Sequence, residues 1–377
     1  MENNILTNED LVSLTDEELV RLYKQYSAKA LIQKNIEQAI KILINSLYGY
    51  LGSPYSRFYN MYIAEAITLT GQAIIRTSAN LINDDLEKIT GSKKDRIPGI
   101  DTDSNYIDLT DIVNSEKTGW YKKTDDEIVT LLDKFCDTRL DKVITEGFNN
   151  LFNTLNAFSP CIYMKREAIG SGVFVQKKRY TMYVYDNEGV RYPKPKLKII
   201  GLEAVRSSTP KYFREKLKTV YELMYTADQP AIHKAVENIR LEFLKLPIME
   251  IGKPSGVNGL GEYDNNSKEL GNFAKGTPAG PKAAFTYNRL IQQLNLTDKH
   301  HLINSGDKIK TFNVKLPNPY KNDKIAILDR VPEEFELEKY VDRDGMFNDS
   351  FLTPITAVLN ARNWYPSKQV NLDDIFG

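Results

Sequence analysis

Cysteine and histidine are scarce in this chain, and neither sign of charge prevails. Its two cysteines, Cys136 and Cys161, form no framework of spaced pairs. That excludes a disulfide-stapled secreted domain and leaves buried thiols in a reducing compartment as the expectation. Three histidines, two of them adjacent (His300, His301), are a poor basis for a zinc site. Fifty basic residues against fifty acidic give a formal net charge of zero. The balance excludes a wholly basic nucleic-acid coat but permits a locally basic groove. No apolar run approaches the roughly 18 residues of a membrane-spanning helix, and Met1-Glu2-Asn3-Asn4 does not open a signal peptide. A soluble intracellular protein with no membrane contact is expected. Internal repeats and low-complexity blocks are missing too.

What is present is ordinary globular material: 377 residues, 41% hydrophobic and 27% charged, enough for two or three subdomains. Thr15-Asp16-Glu17-Glu18 is a capping box. The apolar recurrence after it (Leu19, Leu22, Tyr26, Ala30, Ile40) predicts one long helix, or two nearly collinear ones, ending at Gly49. Past a breaker cluster at 48–55, a second helix is expected from Met61 to Ile89, closed by Gly91. Strands are expected at 104–109 and 180–185, the latter running into a turn at Asp186-Asn187-Glu188-Gly189, with an amphipathic helix over 125–156 between them. Thr209 as N-cap with Pro210 at the first helical position predicts a helix to Tyr225, and another follows over 230–246. Residues 252–283, rich in Gly, Asn, Lys and Pro, read as an extended surface loop, and the chain ends in a polar tail.

Two motifs carry chemistry. Asp101-Thr102-Asp103-Ser104 follows an apolar lead-in and puts two carboxylates at i and i+2, on one side of a strand or hairpin. Upstream, Lys41, Asn45 and Tyr48 share one stripe of a helix. A carboxylate pair for divalent metal and a helix offering a cation, an amide and a phenol suit nucleotidyl transfer. A calcium loop is disfavoured, because Tyr106 stands where that loop needs Gly and Ile112 where it needs Glu.

In order and spacing these residues resemble family B DNA polymerases, most closely the replicative polymerases of T-even-type bacteriophages. Lys41-x-x-x-Asn45-Ser46-x-Tyr48-Gly49 is similar to the fingers motif, and Asp101-Thr102-Asp103-Ser104 to the palm carboxylate motif. Lys165 to Ile169 resembles the palm segment with a further acidic residue, Glu167, and Lys177-Lys178-Arg179-Tyr180 the primer-gripping motif. Pro195 to Pro210 looks like the palm-to-thumb transition, Lys275-Gly276-Thr277-Pro278 with Tyr287-Asn288 fits the thumb, and Leu372 to Phe376 resembles a sliding-clamp peptide.

The resemblance implies an α+β fold: the C-terminal part of the fingers (1–53), the C-terminal part of a palm with an antiparallel sheet (54–205), a mostly helical thumb (206–362) and a clamp-binding tail (363–377). It implies two Mg²⁺ ions with Asp103 as the main ligand and Asp101 as a weaker or indirect one, and Glu167 tuning them from behind the direct ligands; a plain ion pair of Glu167 with Arg166 or Lys165 is the alternative. Lys41 would act on the triphosphate, Asn45 would lie beside it and Tyr48 beside the nascent base pair. Primer–template DNA would lie on Lys177, Lys178, Arg179, Tyr180, Lys196, Lys198, Lys275 and Tyr287, with Lys194 extending the alternating track; for Lys275 and Tyr287, loop solvation and core packing are the alternatives. Leu372, Ile375 and Phe376 would dock on the clamp.

The family's exonuclease, its Asp-x-x-Ser-Leu-Tyr-Pro-Ser motif with the remaining metal-binding Asp, and its first fingers helix are not among these 377 residues. The expectation is the C-terminal subunit of a split polymerase, working with a separately encoded N-terminal half in the cytoplasm of a bacterial host. The rival is a catalytically inactive DNA- and clamp-binding remnant. Gly99-Ile100 also stand where the family usually has Tyr-Gly.

Overall fold

The computed structural model describes residues 11–160 and 162–368. Cys161 and the expected clamp anchors Leu372, Ile375 and Phe376 lie outside the described residues. By internal contacts the chain falls into two units: one runs through Asn80 and takes in Thr102–Ser104, the other comprises Leu81–Asp101 and everything from Asn105 on.

The first unit is built on helix α1 (Asp16–Gly52) and most of α2 (Met61–Thr90). The capping box forms as the sequence predicts: Thr15 N–H donates to Glu18 Oε2 at 2.9 Å, and Glu18 N–H donates back to Thr15 Oγ1. α1 runs through Gly49 to Gly52 instead of ending there, since a lone interior glycine costs a helix only about 1 kcal/mol. Asn60 caps α2 by accepting from Ile63 N–H at 3.1 Å. No residue of the 37-residue α1 is buried, so its apolar stripe of Ile36, Ile40, Leu43 and Leu47 lies open.

In the second unit, the end of α2 buries Ile82 and Leu86, and Asp85 takes the Arg139 guanidinium at two points, 2.8 and 3.0 Å. The single helix expected over 125–156 is two, α3 (Asp125–Phe135) and α4 (Asp141–Thr154), joined by a π-helical turn at Cys136–Leu140. Burial raises the Cys136 thiol pKa to about 11. A hairpin, β1 (Gly99–Asp101) and β2 (Ser104–Tyr106), precedes them; β2 stops three residues short of the expected strand.

The strands β3 (Ala168–Gln176), β4 (Arg179–Asn187) and β5 (Val190–Ile200) form an antiparallel sheet with β4 in the centre. The expected turn closes on Asp186, whose Oδ1 accepts from Gly189 N–H at 3.0 Å. Arg166 lies between Asp186 and Asp133, and Arg191 also reaches Asp186. Burial alone would raise the Asp186 pKa, but the Arg166 guanidinium and the Gly189 N–H outweigh it and hold the carboxyl below its usual range.

Beyond Pro210, which caps the next helix in place of Thr209, come α5 (Lys211–Thr226) and α6 (Gln229–Phe243). The region expected to be mostly helical also holds a second antiparallel sheet: β6 (Lys253–Gly256), β7 (Lys308–Asn313) and β8 (Lys324–Ile327). The stretch 252–283 is therefore not an open loop. Its first residues make an edge strand, where Pro254 is tolerated, and its last begin α7 (Ala279–Gln293). Between these, the buried Arg289 of α7 donates to the carbonyls of Glu269 and Asn272 at 2.9 and 2.6 Å. The core of this region, centred on Phe213, Phe243, Phe347 and Phe351, also receives Val173, Val175, Leu197 and Ile199 of the first sheet. The boundary expected at 205/206 thus falls inside continuous packing.

Asp186 contributes stability that is complete above the ordinary carboxylate pKa near 4 and is lost as pH falls through its lower folded value. Asp186→Asn should cost about 1–3 kcal/mol at pH 7. In urea unfolding, the gap between wild type and variant should narrow at pH 3.

Candidate active site

The β1–β2 hairpin presents the two carboxylates. Thr102 turns the chain in the left-handed region (φ +49°), with half-exposed Asp101 before it and exposed Asp103 after it. Asp101 Oδ1 meets Lys178 Nζ at 3.1 Å. So a residue expected on DNA and a residue expected on metal are partners here.

The pairing is dictated by local backbone geometry. Gln176 pairs with Arg179, leaving Lys177-Lys178 as a two-residue turn with Lys178 at φ +60°. The Lys178 carbonyl lies so close to Gly201 that a Cβ there would come within 2.1 Å of it, and Gly201 itself has φ +65°. Only glycine fits at 201. The turn is thereby pressed onto the end of β5, with the Lys178 ammonium on Asp101 and exposed Lys177 beside it.

The other expected DNA residues differ in their freedom. Arg179 donates to both oxygens of Glu203, at 2.7 and 2.9 Å. Tyr180 is buried: its hydroxyl bonds that of Tyr106, and burial followed by that hydrogen bond drives its pKa far above the usual phenol value. On β5, Lys194 pairs with Glu222 at 2.9 Å, Lys198 with Glu167 at 3.5 Å, and Lys196 lies 3.9 Å over the Tyr192 ring. Glu167 thus has an ion pair, with Lys198 and not with the expected Arg166 or Lys165. Lys275 is exposed beside a turn closed by Thr277. Tyr287 is 2% exposed and edge-on to Phe335, packed in the core as its alternative reading has it.

Lys41, Asn45 and Tyr48 sit in the first unit, all exposed along α1 at the expected spacing. The residues missed by sequence reading are Tyr106, Phe174, Gly201 and Glu203. Their roles arise from pairing across long sequence separations, 74 residues for Tyr106 and Tyr180, which no local pattern signals.

Among the described residues no group of three or more His, Cys, Asp or Glu is assembled as a metal site. The donor set of the hairpin is two carboxylates. That fits a hard cation such as Mg²⁺, which keeps several waters and takes its remaining ligands from phosphates.

Gly201→Ala should destabilise the protein by roughly 1–3 kcal/mol, through left-handed strain and the collision with Lys178. Lys178→Gly, which relieves strain and loses only an exposed ion pair, should change stability by less than about 1 kcal/mol. Urea unfolding of the two variants checks the contrast.

The family model of DNA polymerase family B matches residues 20–251. The DNA-directed DNA polymerase of Enterobacteria phage T4 is 28% identical over 383 residues, covering 98% of this chain and 42% of that protein. That of Escherichia phage RB69 is 30% identical over 358 residues, 89% of this chain and 38% of its own length. DNA polymerase 2 of Aeropyrum pernix is 28% identical over 207 residues, 54% of this chain. The chain spans about two fifths of the length of the phage relatives. On this match, which takes in both the Asp101–Asp103 hairpin and the Lys177–Tyr180 segment, the chain belongs to DNA polymerase family B, in its T4-like branch.

Proposed function

We propose that this chain is the C-terminal subunit of a split DNA-directed DNA polymerase, extending a primer 3′ end along a template. The observation that carries the reading is the hairpin carboxylate Asp101 facing the cationic turn at Lys178, within a segment matched by the family model. Asp103 and Asp101 would hold Mg²⁺, which when bound supplies positive charge for the primer hydroxyl, the α-phosphate and the leaving pyrophosphate. The primer 3′ oxygen attacks the α-phosphorus as the bond to pyrophosphate breaks. Lys41 meets the triphosphate as a point cation, Asn45 lies beside it and Tyr48 packs at the nascent pair. Lys177, Lys178, Lys196, Lys198 and Lys275 take the DNA backbone, with Arg179 and Tyr180 fixing the strand that carries them. The fingers, palm, thumb and tail boundaries at 53, 205 and 362 belong to the same proposal, as do clamp docking by Leu372, Ile375 and Phe376 and action in the host cytoplasm.

The partner would be a polypeptide supplying the rest of the relatives' length, with the exonuclease and the remaining metal-binding Asp. The bare α1 supports this, since an apolar stripe over a whole helix face calls for a covering surface. No helix of the described residues is long and apolar enough to cross a membrane.

Primer extension by the chain with that polypeptide tests the reading. Synthesis should be lost in Asp103→Ala, and Lys41→Ala should lower kcat roughly 10²–10³-fold. No synthesis by a verified complex would favour the inactive DNA- and clamp-binding remnant.

A further inference from the structure

We propose that Tyr106 is a positioning residue of the active site: its hydroxyl, bonded to Tyr180, holds the hairpin so that Asp101 is set for cation binding. The inference rests on the metal reading given above. Tyr106 is the last residue of β2, and its hydroxyl lies 2.5 Å from that of Tyr180, near the start of β4. Its ring meets Tyr180 at 5.0 Å and Phe174 edge-on at 5.3 Å, while Phe174 stacks on Tyr180 at 5.0 Å. On β1, the position of a Cβ at Gly99 lies 3.4 Å from the Tyr106 ring and 3.6 Å from that of Phe174. The aromatic group therefore backs both strands of the hairpin. Asp101 ends β1, and its partner Lys178 stands two residues before Tyr180. The phenol bond and the ion pair tie the hairpin to the same short stretch of chain.

Their strengths differ. The ion pair is about half exposed on both sides and adds at most about 1 kcal/mol. Tyr180 is 4% exposed, and its hydroxyl meets that of Tyr106. The phenol bond holds β2 against β4 while Gly201 presses the Lys178 turn toward Asp101, and the ion pair adds little to either. Tyr106 acts through Asp101 and touches no reacting atom itself.

A double variant separates positioning from plain packing. Tyr106→Phe strands a buried hydroxyl and should lower both stability and cation affinity. Tyr106→Phe/Tyr180→Phe removes both partners and should restore stability to near wild type, because paired removal of a buried hydrogen bond is nearly neutral. Cation affinity should stay reduced roughly tenfold, as when groups that orient metal ligands are lost. The readouts are urea unfolding of the chain, and Mn²⁺ binding followed by electron paramagnetic resonance on the chain in complex with the polypeptide that supplies the remaining metal-binding Asp, with Asp101→Asn as control. Mn²⁺ affinity that recovers together with stability in the double variant, or that is unchanged in Tyr106→Phe, overturns the positioning role while leaving the metal reading in place. A wild-type complex that binds no Mn²⁺, or binds it equally well in Asp101→Asn, overturns both.

Discussion

A hairpin with three residues on each strand does not hold its own geometry, and this one bears the two carboxylates on which the proposed function rests. Everything proposed for Asp101 therefore depends on what stands behind it, the contact of Tyr106 with Phe174 and Tyr180. Support continues inward from there. Tyr180 belongs to the central strand of its sheet, the next residue, Thr181, exchanges hydrogen bonds with Tyr225 of α5, and Tyr183 stacks on the same ring at 5.3 Å. Tyr225 lies at the edge of the phenylalanine core. Asp101, the carboxylate of the proposed cation site, is thus braced through two layers of aromatic packing.

Arginines, buried at 96 and 289 and partly buried at 166, do the work that short loops cannot do for themselves. Arg96, 1% exposed, gathers Thr90, Asp111 and the carbonyls of Ser92 and Lys94, closing the passage from α2 to the hairpin. Arg166 joins α3 to the β4–β5 turn through Asp133 and Asp186, and it immediately precedes Glu167. Arg289 gathers the 265–272 segment. The planar guanidinium suits all three places, because it donates in several fixed directions at once and satisfies carbonyls that no strand or helix would pair. Such ties specify geometry more than they add net stability, since each charge had to leave water.

Much of this was legible in the sequence where the determinant was local. Thr15 and Glu18 cap a helix in chain and in space alike, and Asp186 to Gly189 make the turn their composition demands. The spacing of Lys41, Asn45 and Tyr48 survives as one exposed stripe. The misreadings share one cause, that the deciding partner was remote. Glycine-rich 252–283 looks like open loop until Arg289, on a later helix, gathers it and β7 pairs its first residues. Tyr287 cannot be divided between DNA contact and core from its neighbours in sequence, and Phe335, 48 residues on, decides for the core. Lys178 is expected on DNA, and nothing near it in sequence announces that Gly201 will press its turn toward Asp101.

The zero net charge acquires a meaning in the same way. It is not a neutral surface but a set of local cancellations, with Lys178 on Asp101, Arg179 on Glu203, Lys194 on Glu222 and Lys198 on Glu167. The alternating track of Lys194, Lys196 and Lys198 is, in the folded protein, two half-exposed ion pairs flanking a lysine laid over the Tyr192 ring. Such exposed pairs are individually weak, so on the proposed reading a phosphate backbone laid along β5 would displace Glu222 and Glu167 from their lysines at little expense.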